Sequence, residues 1–279
     1  MGQRKRPFFI VKNLFFVIIR RFFGGRMSEN IKESKRFLSM HKLLETAVAD
    51  YRMIEPGDHL LVGLSGGKDS SMLLKLLARK KIQTTNDFKI SSVFVKMGFP
   101  NDDEISGYLR EFSTKNGVEY FEISKSLAQI MSREKKQACY LCSRTRRLSL
   151  FDLADEIGAN VIAFGHHRDD FVQTFMMNLF FNGTLEAMKP NNPFFGGKYR
   201  IIRPMVYIRE SDIRTEIENE KIKVFDTGCP FGHVSERAFI RSFLEDVYKH
   251  DKTAKNNLFK ALYTLKPDFL LKNPSKDVL

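Results

Sequence analysis

From residue 59 to residue 182, short apolar runs alternate with stretches of helical period, and that order leaves few folds open. HLLVGLS (59–65) has a strand pattern and runs straight into Gly66-Gly67. DSSMLLKLLARKK (69–81) follows, with Met72, Leu73, Leu76 and Leu77 at helical spacing. The alternation continues through strands at 88–97, 118–124 and 160–165 and helices at 101–116, 143–157 and 168–182. Such an order predicts an α/β fold, a parallel sheet with helices on both faces. Ligands of such sheets bind at the carboxyl ends of the strands.

The flanks read as helical. Residues 28–52 carry Leu38, Leu43, Leu44, Ala47, Val48 and Tyr51 near helical spacing, before a turn at Pro56-Gly57-Asp58. Helical patterns return at 211–220, 235–248 and 255–265. The expected organisation is a helical segment at 27–55, the α/β domain at 56–225 and a helical segment at 226–279.

Lys and Arg outnumber Asp and Glu by 46 to 33, a formal charge of +13. A basic chain favours polyanionic partners such as nucleic acid. Seven of those thirteen surplus charges lie in residues 1–26, which hold no acidic residue. Segment 7–23 there is apolar and aromatic. It is broken at Lys12-Asn13 and is shorter than the ~20 apolar residues that span a bilayer. Residues 1–26 are expected to be a disordered tail or an extension from an early start codon, with Met27 opening the natural chain.

Ser65-Gly66-Gly67-Lys68-Asp69-Ser70 sits between strand and helix. Two glycines allow a tight turn that brings N–H groups to an anion, and the helix N-terminus adds donors. Lys68 supplies a cation. The segment is not a Walker A loop, because Asp69 stands where the magnesium-holding hydroxyl would follow the lysine. The plain alternative is a glycine-rich turn capped by Asp69 or Ser70.

A second segment, Gly165-His166-His167-Arg168-Asp169-Asp170, ends the strand at 160–165, with Thr174, Asn178 and Gly183 beyond it. Its carboxylates could hold Mg²⁺ on phosphates, and an imidazole could move protons or line a base pocket. The alternative is a helix cap with solvated histidines.

The three cysteines are Cys139 and Cys142, in a CxxC, and Cys229 in Thr227-Gly228-Cys229-Pro230. An odd count argues against a disulfide scaffold and for thiols in a reducing cytoplasm. With His233 they could bind zinc as Cys₃His. Three thiolates could equally hold a [4Fe–4S] cluster with one iron open. The residues alone leave zinc and iron–sulfur level. Arg144, Arg146 and Arg147, just after the CxxC, could meet RNA phosphates or form a solvated helix face.

Read in order, YRMIEPGDHLLVGLSGGKDSSMLL (51–74), CYLCSRTRR (139–147), GHHRDDFVQTFMMNLFFNGTLEAM (165–188) and IIRPMVYIRESDI (201–213) closely resemble the tRNA 2-thiocytidine synthesis (TtcA-like) family of PP-loop ATPases. The similarity spans roughly residues 28–270. It implies a Rossmann-like domain of the adenine nucleotide alpha hydrolase type. It implies a cytoplasmic tRNA-cytidine 2-sulfurtransferase that uses ATP, Mg²⁺ and a [4Fe–4S] cluster. By match, Ser65, Gly66, Gly67, Lys68, Asp69 and Ser70 bind pyrophosphate, with Gly165 and His166 completing the ATP site. Cys139, Cys142 and Cys229 would be cluster ligands, Asp69 and Asp170 would hold Mg²⁺, and Lys68, Asp69 and Asp170 would serve catalysis. Arg144, Arg146 and Arg147 would contact tRNA. The resemblance further implies a sulfur donor such as a cysteine desulfurase, and a homodimer. Where the family commonly carries a second CxxC, this chain keeps Cys229 alone. The rival readings are thiolation of another tRNA base, amidation, or a zinc-stabilised RNA-binding module without catalysis.

Overall fold

Strands and helices alternate as the periodicity predicts, and what sets their order in space is which strands pair. The computed structural model describes residues 33–84, 87–126, 138–226 and 236–271, without the side chains of Ala138 and Cys139. Helix α1 (Lys35–Asp50) leads into β1 (His59–Leu64), α2 (Lys68–Gln83), β2 (Lys89–Lys96), α3 (Asp102–Lys115) and β3 (Glu119–Ser124). Then follow α4 (Ala138–Ile157), β4 (Val161–Ala163), α5 (Arg168–Met177), β5 (Asn191–Phe194) and β6 (Tyr199–Ile202). Three helices close the described chain: α6 (Glu210–Asn219), α7 (Glu236–His250) and α8 (Ala254–Ala261). Among the described residues no helix is long and apolar enough to cross a membrane. The readings made on residues 1–26 lie outside the described residues.

The sheet runs β3-β2-β1-β4-β6-β5. All pairings are parallel except that of β5, which lies antiparallel on β6. Strand order reverses between β1 and β4, where Leu60 sits opposite Val161 and Val62 opposite Ala163. A crevice opens at the carboxyl ends of two strands that diverge in this way.

Side chains alternate between two layers. Leu60, Val62, Leu64, Val161, Ala163 and Ile202 point into the larger core, against α1, α2, α3, α5, α6, α7 and α8. Leu61, Val93, Val95, Ile162 and Ile201 point the other way, onto Leu150, Phe151, Leu153 and Ala154 of α4. Both faces are covered, so the strands are nearly continuously apolar. The C-terminal helices contribute Ile240, Leu244 and Phe259 to the same core as α1.

Four differences from the sequence reading have physical causes. The buried stripe of α1 is Phe37, Met40, Leu44, Ala47 and Val48, while Leu38 is exposed on the far side. Helix α4 starts at Ala138 rather than 143, so Cys142 lies within its first turns. The helix expected over 168–182 is α5 followed by a π-helical turn, Asn178–Asn182, ended by Gly183 in the left-handed region (φ 64°). The hairpin β5–β6 was not expected. Its strands are four residues long, and Pro193 suits an edge position that donates no ladder hydrogen bond.

The amino ends of the strands are pinned by one carboxylate. Asp58 is buried and accepts from Glu55 N (2.7 Å), Asn160 Nδ2 (2.8 Å) and Arg200 Nη2 (2.5 Å). Asn160 Oδ1 in turn accepts from His59 N (2.8 Å). The node ties β1, β4 and β6 together at the edge away from the crevice. Removing one partner of a buried pair leaves the other charge uncompensated. Asp58→Ala is therefore expected to lower unfolding free energy by about 3 kcal/mol, read as a shift in the urea midpoint. A shift indistinguishable from that of an exposed-site control such as Asp103→Ala would show that the node holds nothing.

Candidate active site

The loop after β1 wraps its own hydroxyls inward. Ser70 Oγ donates to Gly67 O (3.1 Å), accepts from Ser65 N (3.1 Å) and lies 3.1 Å from Ser65 Oγ. Ser65 Oγ also accepts from Gly67 N (3.3 Å). Gly66 adopts φ 78°, and a Cβ there would lie 2.9 Å from Ile105 Cγ2. Only glycine meets both conditions cheaply. Its carbonyl accepts from Phe225 N (3.0 Å). Helix α2 begins at Lys68, so first-turn N–H groups face the crevice without intrahelical partners.

The loop after β4 packs directly on this one. A Cβ at Gly165 would stand 2.9 Å from the carbonyl carbon and oxygen of Asp69 and 3.0 Å from Ser70 N. These are backbone atoms that cannot swing aside. His167, almost fully buried, brings Nε2 to 3.6 Å from Asp69 Oδ1 and 3.4 Å from Asp170 Oδ2. The two segments singled out in the sequence thus meet at the point where strand order reverses.

Charge in the crevice is organised around Lys68. Its Nζ lies 2.9 Å from Asp69 Oδ2 and 3.1 Å from Glu210 Oε1. Burial alone would lower its pKa, but Asp69 and Glu210 outweigh burial and raise it, so the ammonium stays charged. Burial would likewise raise the pKa of Glu210, yet Lys68, with help from His167 and Arg241, pulls it down to about 2. One oxygen of Asp69, Oδ1, is buried without a hydrogen-bond partner. A carboxylate oxygen without a hydrogen-bond partner, beside a glycine-rich loop at a helix N-terminus, could take a hard cation such as Mg²⁺.

The neighbouring carboxylates are more fully engaged. Asp170 accepts from His167 N (3.0 Å) and pairs with Arg237 Nη1 (3.2 Å). Asp169 caps α6 by accepting from Glu210 N (2.8 Å) and pairs with Lys255 Nζ (2.6 Å). His166 stacks edge-on against Phe164 at 5.8 Å. Burial, with Arg203 and Arg237 nearby, depresses its pKa to about 4, so it is neutral near pH 7. Its Nδ1 is buried and unpaired.

Of the thiols, Cys142 is half-buried against the smaller core. The Cys139 side chain, Cys229 and His233 lie outside the described residues. Among the described residues no group of three His, Cys, Asp or Glu is arranged to hold a metal ion. Arg144 and Arg147 are exposed, while Arg146 is half-buried with Nε unpaired.

Sequence reasoning missed Glu210, Arg203 and Arg237. Glu210 carried one weak signal, an acidic residue in the first turn of a helix, which reads as dipole compensation. Arg203 and Arg237 carried none, since the crevice residues they approach, His166 and Asp170, are 37 and 67 residues away in the chain.

The family described as a PP-loop domain matches residues 38–247. The chain is 35% identical over 250 residues to the tRNA-cytidine(32) 2-sulfurtransferase of Pseudomonas syringae pv. syringae (strain B728a), covering 86% of this chain and 89% of that protein. It belongs to the tRNA-cytidine(32) 2-sulfurtransferase family of PP-loop proteins. A second family member, from Syntrophotalea carbinolica, is 34% identical over 251 residues, with 88% and 96% covered. A third, from Burkholderia mallei (strain SAVP1), is 36% identical over 250 residues, with 87% and 74% covered. The fold is also that of the U34-tRNA thiolase NcsA from Methanococcus maripaludis, solved with its [4Fe–4S] cluster. The TM-score is 0.67 at 20% identity, covering 81% of this chain and 77% of that one.

Two predictions follow from this geometry. Gly165→Ala should raise the Kd for ATP by about tenfold or more, equivalent to about 1.4 kcal/mol, and should also lower the melting temperature, because the backbone must shift to admit the methyl group; calorimetry showing wild-type affinity would refute the packing argument. Glu210 has a depressed folded-state pKa, so its contribution to stability is complete above its ordinary value of 4.5 and is lost as pH falls toward about 2. The stability difference between wild type and Glu210→Gln should therefore shrink steadily as urea titrations are moved to lower pH through that window. A constant difference would contradict the assigned pairing with Lys68.

Proposed function

We propose that the chain is an ATP-dependent tRNA sulfurtransferase that replaces the C2 oxygen of cytidine 32 in the anticodon loop with sulfur. Family membership and the meeting of the Ser65–Ser70 loop with Gly165–Asp170 support this reading, and the second of these carries it. A plain glycine-rich turn would not need a glycine on the neighbouring strand end to admit it.

The chemical difficulty is that the C2 oxygen of cytosine leaves poorly. ATP overcomes this. The C2 oxygen attacks the α-phosphorus, and pyrophosphate departs into the Ser65–Ser70 loop at the N-terminus of α2. The ammonium of Lys68, held charged by Asp69 and Glu210, faces the negative charge that builds on the phosphoryl group. Sulfur then takes the place of oxygen at C2, and AMP leaves.

Asp69 is the carboxylate best suited to Mg²⁺, with one oxygen unpaired, while Asp170 would first have to release Arg237. Neutral His166 can accept a proton or a hydrogen bond at the crevice wall. Cys139, Cys142 and Cys229 would hold a [4Fe–4S] cluster, which when bound would supply sulfide next to the base. The donor chemistry fits, because three thiols satisfy three irons and leave the fourth open. Phe225, which hydrogen-bonds the phosphate loop through Gly66, stands four residues before Cys229 in the chain. An unstacked loop base can be splayed into such a pocket. The reading places the enzyme in the cytoplasm, with a cysteine desulfurase as a sulfur donor and a homodimer as the assembly.

The test is anaerobic purification followed by nucleoside analysis. The protein should be brown, with about four irons and four acid-labile sulfides per chain. Cys142→Ser should lose the iron and the sulfurtransferase activity and still bind ATP. tRNA from a strain deleted for the gene should lack 2-thiocytidine and regain it on complementation. Colourless protein with stoichiometric zinc, or 2-thiocytidine persisting in the deletion strain, would defeat the proposal.

A further inference from the structure

Arg203 is a half-buried guanidinium with no carboxylate partner among the described residues. It follows β6 directly, and Phe164 N donates to the carbonyl of Ile202 (3.0 Å), so it stands level with the β4 end that carries His166. Its Nη1 donates to the Lys189 carbonyl (2.6 Å), and its Nε is buried with no hydrogen-bond partner. Arg200, three residues earlier, shows the usual solution: it pairs with Asp58 at 2.5 Å and Glu55 at 3.3 Å. Among the described residues, Arg203, Arg146 and Arg147 have no such partner.

These three arginines lie on one side of the sheet. Tyr199 and Ile201 of β6 point into the α4 layer and Ile202 into the other, so alternation turns Arg203 toward α4. On α4, Arg146 is one turn beyond Cys142, in the stripe that continues to Leu150 and Leu153 and faces the sheet. Burial and the nearby Arg147 depress the Arg203 pKa to about 10, as expected where like charges approach without an anion between them. His166 shares this face through its contact with Phe164. A half-buried cation without a counter-charge is costly, and like charges gathered together are tolerated where an anion completes them.

We infer that Arg203, with Arg146 and Arg147 of α4, forms a phosphate-binding subsite between the ATP crevice and the cysteine-bearing helix. The inference rests on the sulfurtransferase reading, since it makes this the place where nucleotide and RNA meet. Its ligand is a phosphodiester or phosphomonoester oxygen, from the tRNA backbone beside the target base or from the α-phosphate of the adenylate. A planar guanidinium with several N–H groups suits either.

The experiment uses the full-length, cluster-loaded protein and compares wild type with Arg203→Gln and Arg203→Lys. Filter binding of unmodified tRNA across a salt series gives the affinity and its salt slope. Pyrophosphate release under saturating tRNA gives kcat and the KM for ATP. If the phosphate belongs to tRNA, Arg203→Gln should weaken binding about tenfold and reduce the salt slope by about one. If it belongs to the adenylate, tRNA affinity should hold while kcat for pyrophosphate release falls about a hundredfold. Arg203→Lys should recover part of either loss, which a merely structural role would not produce. Should Arg203→Gln fail to fold, Arg147→Gln on the exposed side of α4 serves the same comparison. Variants matching wild type in both assays, or a loss that lysine does not relieve, would overturn the subsite. A wild-type protein that itself neither binds tRNA nor forms 2-thiocytidine would instead overturn the functional reading, and the subsite with it.

Discussion

Gly165 packs against the backbone of Asp69 and Ser70, and the site depends on that approach. A methyl group at 165 would sit 2.9 Å from a peptide carbonyl, well inside van der Waals contact. Without that approach the two loops would separate, His167 would lose its position between Asp69 and Asp170, and the Ser65–Ser70 loop would lose one wall. The approach exists because β1 and β4 are hydrogen-bonded neighbours although α2, β2, α3, β3 and α4 intervene between them in the chain. Pairing at the centre of the sheet is therefore the origin of the site, and the glycine is its local condition.

The two ends of the same strands carry opposite electrostatics. At the amino end, Asp58 is saturated by three donors and Arg200 has two carboxylates, so this end only has to hold the sheet together. At the carboxyl end, Asp69 Oδ1, His166 Nδ1 and the Nε atoms of Arg146 and Arg203 are buried and unpaired. Buried polar groups in folded proteins are nearly always satisfied. Although others, such as His41 Nε2 and Asn191 Oδ1, lie elsewhere, four such atoms gather at this end of the sheet. The charged groups that are satisfied there, Lys68 with Glu210 and Asp170 with Arg237, keep a cation and a capped helix fixed while the others wait.

The C-terminal helices take part in this arrangement. Helices α6, α7 and α8 supply Glu210, Arg237, Arg241 and Lys255 to the ion network around the two loops. They also bury Ile213, Ile240 and Phe259 in the larger core. Packing and chemistry thus use the same helices, with the apolar stripe facing inward and the charged flank facing the loops.

The alternation of apolar runs and helical periods was enough to determine an α/β fold and to locate the loops at Ser65 and Gly165, because those signals are local and repeat every few residues. Residue types also marked the cysteines, Lys68 and Asp69 as candidates for chemistry. What the residues could not determine was which strands pair, that a short antiparallel hairpin borders the sheet, and that Glu210, Arg203 and Arg237 reach the crevice. Those facts depend on contacts between residues far apart in the chain. A lone Glu, or an Arg after a four-residue strand, looks the same in sequence whether it faces solvent or a crevice. Only the folding of the sheet, which brings distant backbone ends within a few ångströms, decides between the two.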